Sequence, residues 1–487
     1  MRDRKTGRRL LQVVLAPLSD SSGLAWRLVA LFLGINALVA VNATLHPPSV
    51  GYDAPEHLAY MATLSELRLP TPEDSAEFFS PPLSYVVPAL VMRVTGMGIL
   101  AAGRVAQALN VLLSLVLTWM LLQTCLLLSP TVRLRMGVLL CLGMVPVYYK
   151  TMAFVRPEPY VALFAVATLQ LALRVFALRE DKLRDKLLLG LALGLAVLSR
   201  QWGIFLVPAV VMLAGMVMIR DQRARWRHAR ALAVALAVSL VTAGWFFVHL
   251  DARYGSLTAF NRSGVAGFSF ANQPTSFYLG SGDPFLFTHP VRPAFSNQAL
   301  PIFYTETWGD YWCYFTVAGH VPSTGEWVSG LPFRFAFEPR RVPDGLTTNR
   351  FRIAPYLGRV NLVSLLPTTF LLLAFSLGIP AMVQTLRSRD TSPTQAATLL
   401  AFLIVAVSVV GYSWFLIQYP ELDKGDTIKA TYMLHVFPCL ALLGGLLLER
   451  VRREKPKYYL LTVVLLAAVW AHNLPACITR YTLPGVG

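Results

Sequence analysis

Charge is scarce in this chain. Only 14% of its 487 residues are Asp, Glu, Lys or Arg, against 55% hydrophobic, and the mean hydropathy is +0.54. A soluble domain carries about 25% charged residues, so a water-soluble globule is excluded and the chain reads as a polytopic membrane protein. Acidic residues are the scarcer sign, 26 against 43 basic, for a net charge of +17. In a soluble protein that excess would suggest nucleic acid. Here the basic residues sit in short runs between apolar segments, which is a topology signal, and no nucleic-acid partner is expected. Cysteine is also sparse: three of the five (Cys125, Cys141, Cys439) fall inside apolar segments, against a disulfide framework or a zinc site. Cys313 and Cys477 are the pair that could join outside the membrane. There is no internal repeat and no low-complexity tract. The apolar segments also lack ionisable residues near their midpoints, where ion- or proton-coupled transporters carry them.

What is present is a series of apolar runs long enough to cross a bilayer, at about 26–45, 105–128, 136–153, 159–177, 187–200, 203–219, 231–250, 360–384, 396–418, 429–449 and 458–474. The expected fold is an all-α membrane bundle of about 11 transmembrane helices. Basic runs lie at Met1–Arg9, Arg133/Arg135, Arg179–Lys186, Arg220–Arg230, Arg387/Arg389 and Arg450–Lys457. With a cytoplasmic N-terminus and eleven spans, all of them fall inside, and the C-terminus outside. Residues 83–102 are apolar enough to be a span, but counting them would turn every later basic loop outward. They are read as an interfacial helix, so 46–104 becomes one external loop holding two surface-lying helices. The first span, followed by Val41-Asn42-Ala43, resembles a signal peptide but reads as an uncleaved anchor. Three regions result: 1–250, a transmembrane module with the first external loop; 251–358, a long external loop of mixed structure; and 359–487, the C-terminal helices.

Polar groups gather at the outer ends of the spans. Asp53, Glu56, His57 and Tyr60 follow the first span at helical spacing, which predicts a shared helix face. Pro81-Pro82-Leu83-Ser84-Tyr85 comes next, then Lys150, Arg156-Pro157-Glu158, Ser199-Arg200-Gln201 and Lys429-Ala-Thr-Tyr432-Met-Leu-His435-Val-Phe-Pro438. A site at the interface suits a substrate with its tail in the bilayer and its head in water. The same residues also read as the solvated face of an interfacial helix and as headgroup anchors. Tyr304-Thr-Glu306-Thr-Trp308-Gly-Asp310-Tyr-Trp312 is dense in aromatics and acids; it fits a sugar-stacking surface, and equally a buried aromatic core.

In these motifs the chain resembles the GT-C glycosyltransferases, multi-span enzymes that use polyprenyl-phosphate-linked sugars. Asp53-Ala-Pro-Glu56-His57 and Pro81-Pro82-Leu83-Ser84-Tyr85 are similar in order and spacing to that family's acidic first-loop motif and Pro-Pro-Leu-x-Tyr segment. Arg156-Pro157-Glu158, Ser199-Arg200-Gln201 and the 429–438 stretch are similar to its later turns. The usual acidic pair is split here, with Ala54 beside Asp53. The resemblance implies an inverting transfer of a sugar from a polyprenyl-phosphate donor to an acceptor hydroxyl on a glycan, lipid or protein. Asp53 or Glu56 would be the base, with His57 beside it. Arg156, Arg200 and Lys429 would meet the donor phosphate; Tyr60, Glu158 and Tyr432, and in the aromatic and acidic stretch Trp308 and Asp310, are the candidate substrate-binding residues. A divalent ion needs more ligands than these motifs supply, so no metal or other cofactor is expected. Contacts with membrane lipids are. The Arg-rich composition and short loops point to a bacterial inner membrane, with the site facing outward. The rival readings are a transporter or flippase of lipid-linked saccharides and an inactive scaffold subunit.

Overall fold

The computed structural model describes residues 15–19, 23–178, 180–262, 264–321, 326–327, 347–348, 350–387 and 392–482. The basic run Met1–Arg9, Arg179 and Arg389 lie outside the described residues. Among the described residues, eight helices are long and apolar enough to cross a membrane, or nine with one bent pair. Large apolar side chains face outward on them, such as Leu240 and Val241 at 71% and 80% exposure, as a lipid-facing surface requires. The protein is an integral membrane protein.

In chain order, α1 (Ala25–Leu45) leads into α2 (Ala54–Ser65) and α3 (Leu83–Thr95), then α4 (Ile99–Leu128). Helix α3 has 13 residues and ends on Gly96 in the left-handed region, φ 68°. At about 1.5 Å per residue it is too short to span, as the charge pattern of the loops requires. The next span breaks. α5 (Val132–Gly143) and α6 (Pro146–Ala153) meet at 67°, because Pro146 has no N–H to continue the ladder of α5. The expected straight span at 136–153 is therefore corrected to a bent pair. The bend carries Lys150 inward.

Helix α7 (Glu158–Ala172) continues through a π turn at Leu173–Ala177 into α8 (Leu183–Ser199). A 3-10 turn at Gln201–Phe205 opens α9 (Leu206–Arg220), and α10 (Arg225–Tyr254) packs along α8. Their close approach depends on Gly190 and Gly194: a Cβ on Gly190 would lie 2.5 Å from the Ala235 carbonyl. This is the small-xxx-small packing of membrane helices.

The stretch after α10 carries the short α11 (Thr275–Leu279), α12 (Ala299–Trp308) and a small antiparallel sheet. Its strands β1 (Gly319–Val321), β2 (Glu326–Trp327) and β3 (Thr347–Thr348) run in the order β2-β1-β3, with His320 opposite both Trp327 and Thr347. Then follow α13 (Arg350–Val363), α14 (Leu365–Ser376), α15 (Gly378–Arg387), α16 (Pro393–Gln418), α17 (Val436–Glu454) and α18 (Pro456–Asn473). Each of the eleven apolar runs coincides with a helix or helix group. Those at 187–200 and 429–449 fall on α8 and α17, which are not among the long apolar helices, so the described residues give eight or nine candidate spans where the sequence predicts about 11. Cys313 and Cys477 form no disulfide with each other. Asn42 spends both side-chain atoms inside the protein, on the Cys477 carbonyl and the Thr479 N–H.

Candidate active site

The turns at one end of the bundle converge on Asp53. It precedes α2 in the left-handed region at φ 54°, a strained conformation that Asp tolerates better than most residues. Its carboxylate caps no helix N–H. Instead it accepts from Lys429 Nζ at 3.0 Å and lies 4.0 Å from Arg156 Nη1. Arg156 is locked from the other side, with Nε and Nη2 on the two oxygens of Glu158 at 2.9 and 3.0 Å and Nη1 on the Tyr52 carbonyl at 3.0 Å. Arg200 donates to Glu77 and Ser80 in short contacts, with Nε 3.8 Å from Glu158. The Tyr432 ring lies against all three cations, 5.3, 5.6 and 5.8 Å from Arg156, Lys429 and Arg200. Each cation has one carboxylate, so the cluster is close to neutral.

Exposure separates the carboxylates. The Asp53 side chain is 39% exposed, whereas Glu158 and Glu77 are at 2% and 5%. Burial works against ionisation of Asp53, but Lys429 and Arg156, with His57, hold its carboxyl well below the usual range. Glu77 is likewise held low, burial being outweighed by Arg200 and His57. The Lys429 ammonium is raised: burial opposes its charge, and Asp53 more than compensates. Burial pulls His57 down to about 4, so it is neutral at pH 7.

Asp53, Glu77, Arg200, Lys429 and Tyr432 line one cavity of about 60 Å³, with Trp202, Phe260 and Phe415 as its aromatic wall. Arg262 closes its rim, paired with Glu421 at 2.6 Å and Asp426 at 2.9 Å. That is smaller than the volume of about 300 Å³ or more typical of pockets that hold a small-molecule ligand.

The structure thus brings together Asp53, Arg156, Glu158, Arg200, Lys429 and Tyr432. Other expected residues stand elsewhere. Asp53 and Glu56 do not share a helix face, because Asp53 lies before the helix. Glu56 accepts the Ala76 N–H at 2.6 Å and its carbonyl takes the Ser75 hydroxyl at 2.8 Å, so it ties down the 75–80 turn. His57 and Tyr60 are buried bracing residues. His57 Nδ1 pairs with the Tyr85 hydroxyl at 2.8 Å, Tyr60 donates to the Ser80 carbonyl at 2.8 Å, and the Tyr60 and Tyr85 rings stack at 4.2 Å. Trp308 and Asp310 lie off the cavity. The Trp308 indole bonds Thr368 at 2.9 Å beside a separate apolar cavity of about 560 Å³. The Asp310 carboxylate accepts the N–H groups of residues 314–317, at 2.8 to 3.1 Å. That is the work of a loop organiser rather than a sugar ligand.

Sequence reasoning missed Glu77, Tyr52 and Arg262. Glu77 was findable as the acid just ahead of Phe78-Phe79-Ser80-Pro81. Among the described residues, no group of three or more His, Cys, Asp or Glu is arranged to hold a metal.

Comparison with known proteins agrees with this architecture. The family model described as dolichyl-phosphate-mannose-protein mannosyltransferase matches residues 80–245, a stretch that includes Arg156, Glu158 and Arg200. Among solved structures, the chain is similar to ArnT from Cupriavidus metallidurans bound to undecaprenyl phosphate. That match has a TM-score of 0.50 at 16% identity and covers 92% of this chain and 64% of that one. It is also similar to the apo oligosaccharyltransferase of Archaeoglobus fulgidus, with a TM-score of 0.50 at 12% identity, over 96% of this chain and 57% of that one. The chain thus spans under two thirds of either protein's length. Among curated proteins, none is significantly similar in sequence. The fold is the one that these two membrane proteins share.

Proposed function

We propose that this protein is an inverting glycosyltransferase that moves a sugar from a polyprenyl-phosphate donor to an acceptor hydroxyl. The observation that carries the reading is Asp53: a half-exposed, ionised carboxylate, held by Lys429 at the wall of a cavity lined by Arg200 and Tyr432. Asp53 is favoured over Glu56 as the base because Glu56 is committed to the 75–80 turn. Asp53 accepts the proton of the acceptor hydroxyl as that oxygen attacks the anomeric carbon. Polyprenyl phosphate then departs from the opposite face. The leaving phosphate gains negative charge as the bond breaks, and Lys429 and Arg200 are the fixed cations nearest the cavity to meet it. Arg156, fully buried between Glu158 and Asp53, holds the base rather than reaching the donor.

The geometry also couples donor binding to base strength. Lys429 serves Asp53 at rest. A donor phosphate that draws the ammonium away leaves Asp53 less stabilised as an anion and therefore a stronger base. Tail entry from the bilayer fits a site at the membrane surface, and the charge distribution of the loops supports a reading in which that surface faces outward and the N-terminus lies in the cytoplasm. The test is a donor screen. Purified protein is incubated with polyprenyl-phosphate sugars and crude membrane acceptors, and free polyprenyl phosphate is followed, with Asp53→Asn alongside. Release by the parent and not by the variant is expected; release by neither, with folded protein and an active acceptor fraction, overturns the reading.

A further inference from the structure

Behind the site lies a buried chain of charged and polar groups that no step above uses. Lys150, on α6 beyond the bend, is fully buried and gives its ammonium to the Glu306 carboxylate at 2.6 Å, the Glu306 carbonyl at 3.0 Å and the Gly309 carbonyl at 3.2 Å. Glu306, on α12 of the long stretch after α10, is also fully buried. One of its oxygens takes the Trp312 N–H at 3.0 Å, and the other takes the Tyr52 hydroxyl in a short contact. Burial and the Glu306 charge both push the Tyr52 phenol well above its ordinary range, so the hydroxyl stays a donor.

Tyr52 is the residue before Asp53, and its far side faces the site. Its ring lies 5.2 Å from Lys429 Nζ and 5.4 Å from Arg156 Cζ, and its carbonyl accepts from Arg156 Nη1 at 3.0 Å. The two cations that grip Asp53 therefore both rest on one ring, and that ring is fixed at its hydroxyl by Glu306. Apolar residues of the same size would join α6, α12 and the 50–53 turn at no desolvation cost. They would not hold a phenol at one angle.

We propose that Glu306, anchored by Lys150, is a positioning residue. It sets the Tyr52 ring beneath Lys429 and Arg156, and through them fixes the Asp53 carboxylate. Its role in transfer rests on the reading of Asp53 as base. The consequence is that α12, an element of the stretch after α10, controls the geometry of a carboxylate nearly 250 residues earlier in the chain.

The test reads Asp53 directly. A carbodiimide with an amine nucleophile couples only to protonated, reachable carboxyls, and mass spectrometry locates the adduct. The groups facing Asp53 are Lys429, Arg156, His57, Glu77 and Tyr314, and all five stay intact in the variants. Parent protein at about pH 5 should label Asp53 weakly. Tyr52→Leu, which removes the ring, should label it about tenfold more, and Tyr52→Phe, which keeps the ring but loses the Glu306 bond, by an intermediate factor. Glu306→Gln, which keeps an acceptor for the phenol but weakens its hold, should match Tyr52→Phe.

In turnover, Tyr52→Phe should lower kcat with little change in KM. A purely structural pin would lower the melting temperature of Tyr52→Phe and leave Asp53 labelling and the kcat of folded protein at parent values; that result overturns the proposal. If Tyr52→Leu does not fold, Tyr52→Phe decides alone. Changed labelling in a protein that transfers no sugar upholds the positioning and overturns the transferase reading.

Discussion

Replacing Lys429 by alanine tests how Asp53 is kept ionised. Unit charges 3.0 Å apart attract by about 5.5 kcal/mol at an effective dielectric of 20 and by about 1.4 in water. With Asp53 39% exposed, screening puts the value toward the lower end, about 2 kcal/mol, or about 1.5 pH units. The sign follows from the direction of the shift. The Asp53 carboxyl is held below the usual range, so its pairing stabilises the fold above the ordinary carboxylate value of about 3.9 and is lost as the pH falls through the lower, folded value. Without Lys429, burial is opposed chiefly by Arg156 at 4.0 Å, and the carboxyl moves up. The parent's kcat/KM should therefore show no acid limb from Asp53 above about pH 4, whereas in Lys429→Ala the limb should move up by about 1.5 pH units. Losing a charge-assisted contact to phosphate should weaken binding of polyprenyl phosphate by about 10- to 150-fold. Lys429→Arg, which keeps the charge, should restore the flat profile. The assay is transfer across pH beside a binding titration. An unchanged acid limb would mean that Lys429 does not hold Asp53 ionised, and unchanged affinity that it does not meet the donor phosphate.

Glu77→Gln should be more damaging than its distance from Asp53 suggests: it leaves the Arg200 guanidinium, 3% exposed, without its closest counter-charge, at about 3–5 kcal/mol of stability, read as a fall in melting temperature. Gly190→Ala should push α8 off α10 and cost about 1–3 kcal/mol, because the new Cβ meets backbone, the Ala235 carbonyl at 2.5 Å; a thermal melt in detergent checks it. Arg262→Ala should cost under about 1 kcal/mol, its pairs being partly exposed, yet raise the association rate of the donor by loosening the rim of the cavity, measured by stopped-flow binding.

The helices were legible in the sequence because hydrocarbon leaves little choice: an apolar run of about twenty residues has to be a helix. The loop charges went further, correctly demoting 83–102 from a span. Helix periodicity failed at Asp53. It assigned Asp53 and Glu56 to one face, while the chain puts Asp53 in a left-handed turn ahead of the helix, and nothing in the spacing encodes that. Arg156, Arg200 and Lys429 were found because cations at span ends stand out against apolar neighbours. Their pairing was not readable: that Arg156 serves Glu158 and Arg200 serves Glu77 depends on contacts between turns far apart in sequence. The aromatic and acidic stretch at 304–312 suggested sugar stacking, but its acids face inward. Glu306 supports Tyr52 from behind and Asp310 holds its own loop, an outcome that composition alone does not distinguish from a binding surface.

On the proposed function, the Asp53 cavity receives the phosphate of a polyprenyl-phosphate donor. A cryo-EM structure with polyprenyl phosphate bound tests it most directly. Bound polyprenyl phosphate should enlarge the cavity, bring phosphate oxygens within about 3 Å of Lys429 Nζ and the Arg200 guanidinium, and lengthen the contact between Lys429 and Asp53. A headgroup bound away from these cations, with the pair between Lys429 and Asp53 unchanged at 3.0 Å, would contradict it.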